Sequence, residues 1–231
     1  MKKLSSASIF FPAYYDEQNI HFVVKDADEL LKNISKKYEI IIINDGSPDN
    51  TGKVAENLKT IYPNLKVIHH NENKGYGATL KTGFLNSQFD YVLYSDGDNQ
   101  YNIREFTRFL PFLENSDVVA GYVIEKALSN KRKLQSIIFN NLIWILFFIK
   151  FKDINCSMKV FKSKVLDSIE IKSDSAFIDA EIIIKLKNKG FPISQVNVTH
   201  KPRLKGVAGG SKLNVIIPTV IDMIKLKFGI L

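Results

Sequence analysis

The chain has 231 residues, 45% of them hydrophobic and 24% charged, which suffices for one domain with a proper core and leaves two full domains cramped. No internal repeat and no tract rich in Gly, Ser or Pro interrupts it, so a repeat architecture is excluded and a single fold with short connections is expected. The net charge of +8 favours an anionic partner: nucleic acid, acidic lipid headgroups or a phosphorylated small molecule.

The first half of the chain alternates apolar runs of strand length with segments of helical periodicity. Strands are predicted over residues 8–11, 39–43, 65–69, 91–94 and 118–120, and helices over residues 19–34, 51–61, 78–86 and 104–113. Asp16 is the expected N-cap of the first helix. The run at 39–43 is continuously apolar, as is typical of a central parallel strand.

The second half is less regular. Helices are predicted over residues 131–151, over residues 179–189 with Gly190 as the terminating residue, and from Asn214 through the tail. Strands are predicted at residues 158–161 and 193–198. The repeated strand-helix alternation of the first half predicts an α/β fold, with a mostly parallel sheet covered on both faces.

Acidic and small residues follow three of the predicted strands, in the segments 12–16, 44–47 and 95–98. In open α/β sheets, ligands bind outside the carboxyl ends of the strands. These segments therefore mark the predicted ligand edge of the sheet.

The strongest chemical signal is the pair Asp96 and Asp98, two residues apart after an apolar strand, with Gln100 close behind. Carboxylate and amide oxygens are the ligands that Mg²⁺ and Mn²⁺ prefer, often together with substrate phosphates. The pattern predicts a divalent-cation site, and the alternative is a solvated acidic turn, since Asp-Gly is common in turns.

Two further segments belong to the same edge. Asp45 ends a buried strand and is expected to accept hydrogen bonds from a base or ribose, whereas Asp49 and Thr51 are expected only to cap the next helix. The loop at residues 73–78 carries two glycines before a helix, which permits close approach of an anion to backbone N–H groups.

A cationic, glycine-bearing loop follows the last predicted strand, over residues 200–212. Its arginine and lysines are suited to clamp a diphosphate or an acceptor phosphate. The alternative is a solvated basic loop, and the acidic motif elsewhere favours the first interpretation, because a metal-bound diphosphate needs both.

In their order and spacing these segments resemble the family 2 glycosyltransferases, in the branch of dolichol-phosphate mannosyltransferase and related polyprenyl-phosphate glycosyltransferases. The resemblance runs from Phe11 to about Lys212. It rests on FPAYYDEQNI at residues 11–20, NDGSPD at 44–49, NKGYG at 73–77, DGDNQ at 96–100, DINCSMK at 153–159, FIDAE at 177–181 and the loop at 203–212.

The resemblance implies a GT-A fold, with residues 1–212 as the catalytic domain and residues 213–231 as an amphipathic helix of the same compact unit. It implies that Asp96 meets the ribose or the sugar and that Asp98 and Gln100 hold Mg²⁺ or Mn²⁺. Arg203 and Ser211 then reach the donor diphosphate or the acceptor phosphate. The nucleoside pocket is expected to be lined by Pro12, Tyr14, Asp16 and Asp45, with Ile43, Lys74 and Gly97 as further donor contacts.

Three positions depart from the family pattern. Asn44 replaces an aspartate, Tyr15-Asp16 replaces Asn-Glu, and Val123 stands near a position where an arginine is common. The last departure removes one cationic contact to the diphosphate. Lys126 or Arg132 is the expected substitute.

The function implied is inverting transfer of a sugar from a nucleotide diphosphate (GDP or UDP) to a polyprenyl phosphate. A phosphate acceptor is largely ionised at neutral pH and needs no strong base. A hydroxyl of a cell-surface glycan is the alternative acceptor; it needs a carboxylate base, for which Asp179 is the first candidate and Glu181 the second. Both also suit stabilisation of a helix N-terminus.

A non-catalytic nucleotide-sugar-binding protein is the alternative from a different class. Nucleic acid is not an expected partner, because no basic patch interleaved with aromatic residues appears and paired aspartates repel a polyanion. Oligomeric state is left open by the sequence.

Two apolar segments predict that the protein lies on the cytoplasmic face of a membrane without crossing it. In the tail, an apolar helical face is formed by Leu213, Ile217, Val220, Ile221, Ile224, Phe228 and Leu231. The run 137–149 contains Trp144 and is flanked by lysines and Arg132, which favour anionic lipids. The single cysteine, Cys156, and the lack of a visible signal peptide point to the cytoplasm. The alternative is that both segments are ordinary core or a subunit interface.

Overall fold

The computed structural model describes residues 3–124, 130–202 and 213–231, with the backbone alone at residues 130–132 and 213. The strands are β1 Ala7–Ala13, β2 Tyr38–Asn44, β3 Leu65–His69, β4 Tyr91–Tyr94, β5 Val118–Tyr122, β6 Lys159–Lys162 and β7 Ile193–Asn197. The helices are α1 Ile20–Ile34, α2 Thr51–Leu58, α3 Tyr76–Asn86, α4 Asn130–Phe147, α5 Ser163–Leu166, α6 Ile178–Asn188 and α7 Leu213–Lys227.

The strands form one sheet in the order β3-β2-β1-β4-β6-β5-β7. Strands β1 to β4 pair in parallel, as do β5 and β7, while β6 is antiparallel to both of its neighbours. The prediction of a mostly parallel α/β sheet is confirmed. Because β1 lies between β2 and β4, the carboxyl ends of these three strands meet at one edge.

The core lies on both faces of the sheet, because successive strand residues point to opposite sides. Ile9 and Phe11 of β1 join the cluster that packs under α1, whereas Phe10 joins the cluster under α3 and α6. Strand β2 alternates in the same way, so the fully buried Ile43 belongs to the second cluster. The side chain of this predicted donor contact therefore packs in the core.

Three local predictions differ from the structure in detail. The helix expected at 104–113 is two short 3₁₀ helices, Ile103–Arg108 and Leu110–Glu114, and Pro111, which has no N–H to continue an α-helix, stands at the start of the second. Helix α1 starts at Ile20 with Asn19 at the N-cap, while the Asp16 side chain turns to other partners. Helix α4 ends at Phe147, since Phe148 adopts a left-handed backbone at φ 57°.

Helix α3 begins at a close contact with the segment before α6. A Cβ added at Gly77 would meet the backbone carbonyl carbon of Asp174 and the backbone oxygen of Ser175, each at 2.4 Å. We therefore expect Gly77→Ala to lower the free energy of unfolding by about 1–3 kcal/mol, measured by urea denaturation. The neighbouring change Ala78→Ser is the control, with an expected effect within about 0.5 kcal/mol. An unchanged urea midpoint for Gly77→Ala would show that the backbone at 174–175 moves aside without loss of stability.

Candidate active site

A cavity of about 430 Å³ lies beside the end of β4, between this strand end and helices α4 and α7. Its polar lining includes Asp96, Asp98, Gln100, Asn155 and His200. Its apolar lining comes from the two helices: Ile138, Phe139, Leu142, Val215, Ile216 and Val220. The turn after β4 therefore gives the cavity an acidic lining, and the two helices give it a mainly apolar one, in which Gln135, Ser136 and Thr219 are the polar members.

The turn after β4 holds the two aspartates in place. The Asp98 carboxylate accepts the backbone N–H of Gln100 at 3.0 Å, and Asn99 between them takes a left-handed backbone at φ 59°. Gln100 pairs with Lys201 through both its backbone carbonyl and its side-chain amide. The segment at 200–201 thus holds the end of this turn in place through two hydrogen bonds to Gln100.

Pro12 and Gly97 join this turn to β1. The Gly97 N–H donates to the carbonyl of Pro12 at 3.2 Å, and a Cβ on Gly97 would come within 2.8 Å of the same oxygen. Only glycine permits this approach. These two predicted donor contacts set the position of the aspartates through the backbone.

The oxygen atoms that this turn offers as ligands suit a hard divalent cation. Within the described ranges no group of three or more His, Cys, Asp or Glu is arranged to hold a metal ion. Mg²⁺ and Mn²⁺ are commonly held by one or two carboxylates, with waters and substrate phosphates completing the shell. Asp96, Asp98 and Gln100 line one cavity and offer that partial set of oxygen ligands.

The loop after β1 is fastened to the loop after β2. The Asp16 carboxylate accepts the N–H of Tyr14 at 3.1 Å, and the Asp16 N–H donates to the Thr51 hydroxyl at 2.9 Å. The rings of Tyr14 and Tyr15 meet edge to face at 4.7 Å and are both exposed at this edge. An aromatic surface is therefore available to a flat ligand such as a base.

Asp49 is a structural centre of these loops. Burial acts to raise its pKa, but hydrogen bonds from Ser47 and Thr51 and from the Glu17 backbone outweigh it and hold the pKa below its usual value. Asp49 accepts the Thr51 N–H at 3.0 Å and the Thr51 hydroxyl at 2.6 Å. It thus fastens the start of α2 and the loop before it.

Asp45 lies at the predicted edge, with its carboxylate engaged by the loop that precedes α3. It accepts the N–H groups of Lys74 and Gly75, each at 2.9 Å, and lies 2.6 Å from Nδ1 of His70. The N–H groups that we expected to meet a phosphate therefore meet the Asp45 carboxylate, and the Lys74 side chain is exposed.

Asp179 is 5% exposed at the side chain and forms a buried ion pair with Lys159 at 2.6 Å. The Lys159 ammonium also donates to the Tyr94 hydroxyl and to the carbonyl of Cys156, and Tyr94 donates to Asp179. Burial, followed by the charge of Asp179, raises the pKa of Tyr94 well above its usual value. This carboxylate is thus committed to partners within the protein.

Glu181 is also engaged within the fold. It accepts the N–H groups of Lys172 and Ser173, each at 2.9 Å, and pairs with Lys185 at 2.6 Å. Neither predicted base lines the cavity. Sequence reasoning missed Lys159, although a lysine inside an apolar strand is itself a signal, because a buried ammonium requires a paired carboxylate.

Several predicted contacts to phosphate lie outside the described residues. These are Lys126, the side chain of Arg132, Arg203 and Ser211. Val123 is half-buried and packs against the first core cluster.

The sheet order, with acidic residues where β4 ends, is shared with solved glycosyltransferases of the GT-A fold. Glucosyl-3-phosphoglycerate synthase from Mycobacterium tuberculosis, solved with Mn²⁺ and UDP, superposes with a TM-score of 0.75 at 18% identity, covering 98% of this chain and 81% of that one. The family model for glycosyl transferase family 2 matches residues 8–169, and the chain belongs to that family. The predicted family and fold are confirmed.

Two relatives match most of this chain and most of their own length. A dolichyl-phosphate beta-glucosyltransferase of Dictyostelium discoideum is 28% identical, over 96% of this chain and 73% of its own length. An uncharacterized protein of Methanocaldococcus jannaschii is 26% identical, over 81% of this chain and 85% of its own length. The polyprenyl-phosphate branch predicted from the motifs is the one to which the first of these relatives belongs.

Proposed function

We propose that this glycosyltransferase moves a sugar from a nucleotide-diphosphate donor, with inversion, to a polyprenyl phosphate at a membrane surface. The observation that carries the proposal is the cavity, which leads from Asp96 and Asp98 to apolar walls supplied by α4 and α7. A phosphate at its polar end and an isoprenoid chain along its apolar walls match that division. The dolichyl-phosphate relatives support the same acceptor class.

The placement of carboxylates favours a phosphate acceptor over a sugar hydroxyl. A hydroxyl must lose its proton to a base within hydrogen-bond reach, whereas a phosphate is already largely anionic at neutral pH. Among the described residues that line the cavity, the carboxylates are Asp96 and Asp98, both in the turn assigned to the donor and the cation. Asp179 faces Lys159 instead.

Each part of the site has a defined task in this proposal. Asp98 and Gln100 hold the cation, Asp96 meets the ribose or the sugar, and the exposed tyrosines after β1 face the base. Bound Mg²⁺ or Mn²⁺ supplies positive charge where the leaving diphosphate gains negative charge. The apolar walls exclude water around the reacting groups. Arg203 and Ser211 remain the expected phosphate contacts.

A transfer assay tests the proposal. The purified chain is incubated with labelled UDP- and GDP-sugars, Mn²⁺ or Mg²⁺, and either a polyprenyl phosphate in detergent or a soluble oligosaccharide. We expect labelled lipid from at least one donor. Transfer to the oligosaccharide alone would favour the hydroxyl acceptor, and saturable donor binding without product would indicate a non-catalytic binding protein.

The same helices support attachment to the membrane surface. No helix within the described part of the chain is both long and apolar enough to cross a bilayer. Large apolar side chains nevertheless stay exposed along α4 and α7 and at the residue that follows each helix: Leu134, Ile137, Ile138, Leu142, Trp144, Ile145, Phe148, Ile217, Ile221, Ile224 and Phe228. Soluble monomers rarely expose so extensive an apolar surface. Exposed lysines flank it at 133, 150, 152, 225 and 227.

Trp144 makes this attachment measurable, because it is the only tryptophan of the chain and is 52% exposed on α4. Titration with vesicles containing phosphatidylglycerol is expected to shift its emission to the blue, with weaker binding to neutral vesicles and at high salt. Ile224→Glu should weaken binding by about tenfold or more, since it removes one apolar contact and adds a negative charge. Lys53→Glu, an exposed site on α2, controls for charge. Unshifted emission with every vesicle would contradict attachment through α4.

A further inference from the structure

Two polar side chains face inward from the two apolar helices, and each bonds to a segment that lines the cavity. Asn140 of α4 accepts the backbone N–H of Ile154 at 3.1 Å and donates to the carbonyl of Ser136 at 2.8 Å. Ile154 is fully buried, and the next residue, Asn155, lines the cavity. Asn141, one position along, is exposed.

The corresponding contact on α7 is made by Asp222. One carboxylate oxygen accepts the hydroxyls of Ser173 and Ser175, each at 2.7 Å. Ser173 is 1% exposed, and Ala176 just beyond it lines the cavity. The turn before Asp222 supplies Thr219 and Val220 to the cavity wall.

The segment that receives Asp222 is itself held firmly. Glu181 accepts its N–H groups at Lys172 and Ser173, and Lys81 donates to the carbonyl of Lys172 and pairs with Asp174. Since the receiving segment is fixed, its two hydroxyls give α7 a directional contact, beside the packing of Met223 in the second core cluster. The apolar contacts add stability but little directional preference, because the hydrophobic effect is non-directional.

We propose that Asn140 and Asp222 are positioning residues that fix α4 and α7 as the acceptor-side walls of the cavity, with their apolar faces turned outward. The inference rests on the proposed function, because it assigns the two residues to binding of the lipid acceptor. Neither residue lines the cavity itself, so each acts through the wall residues beside it. Donor binding at the turn after β4 does not depend on them.

The test separates acceptor binding from donor binding and from folding. Asn140→Leu and Asp222→Leu are compared with Asn141→Leu, and Asn140→Asp and Asp222→Asn are the conservative variants that keep a carbonyl oxygen for the accepted hydrogen bonds. We expect the KM for polyprenyl phosphate to rise about tenfold in the two leucine variants, as one or two hydrogen bonds are lost. The KM for the donor should stay within about twofold. The conservative variants should recover most of the loss, and Asn141→Leu should match the wild type.

Equal increases in the KM for donor and acceptor, or wild-type acceptor KM in folded leucine variants, would overturn the assignment. Circular dichroism and urea midpoints identify any leucine variant that has lost the fold. The KM values of the matching conservative variant are then used in its place to test the assignment. If the wild type transfers no sugar to polyprenyl phosphate, the proposed function fails instead. The positions of the helices are then tested by hydrogen exchange, which should rise in α4 for Asn140→Leu and in α7 for Asp222→Leu, but in neither helix for Asn141→Leu.

Discussion

Replacing Lys159 by methionine is expected to lower the free energy of unfolding by about 3–5 kcal/mol, because the change strands the buried carboxylate of Asp179 without its cation. Methionine has a similar length and keeps the contacts of the stem. The three hydrogen bonds of the ammonium, to Tyr94, Asp179 and the carbonyl of Cys156, are lost together. Urea denaturation followed by circular dichroism measures the effect.

A double variant separates the stranded charge from the lost packing. Adding Asp179→Asn to Lys159→Met removes the charge while keeping a side-chain oxygen for the Tyr94 hydroxyl, so stability should return by about 1–3 kcal/mol. Lys162→Met is the matched control on β6, since its ion pair with Asp117 is partly exposed and contributes about 1 kcal/mol or less. A double variant less stable than Lys159→Met alone would contradict the role assigned to the pair.

Asp98→Asn is expected to reduce sugar transfer by at least about a hundredfold, as is usual when one charge-stabilising group of a catalytic site is removed. Asparagine keeps a side-chain oxygen for the Gln100 N–H, so the turn after β4 should persist and the loss should reflect the missing charge. The readout is labelled product at saturating donor and acceptor.

The metal requirement is tested on the wild type and the variant together. Excess chelator should abolish wild-type transfer, and added Mn²⁺ or Mg²⁺ should restore it. Full activity of the wild type in chelator, or of Asp98→Asn under standard conditions, would contradict the assignment of Asp98 as a ligand of the cation.

The parallel half of the sheet was predictable because its signals are local. The bounds expected for β3 and β4 agree with the structure, since a short apolar run between turn residues is sufficient evidence for a buried strand. Strand order then places Asp16, Asp45 and Asp96 near one edge without further information. The motif resemblance added the family and the GT-A fold.

The hydrogen-bond and ion-pair partners of each carboxylate were not predictable, because they depend on contacts between residues far apart in sequence. Asp179 of α6 looked like a candidate base, yet its carboxylate pairs with Lys159 of strand β6. Asp45 looked available to a ligand, yet it binds the loop at Lys74 and Gly75. Sequence shows which residue carries a carboxylate, but only the packed structure shows which donors that carboxylate meets.

The exposed faces of α4 and α7 also bear on how the protein behaves during purification. Exposed side chains such as Ile145 of α4, 61% exposed, and Ile217 of α7, 54% exposed, are expected to promote self-association of the chain in aqueous buffer. A mild detergent should cover these faces and lower the apparent mass in light scattering, and removing the detergent should restore the larger species. An apparent mass measured in aqueous buffer alone would then not give the oligomeric state that the protein has when its apolar faces are covered.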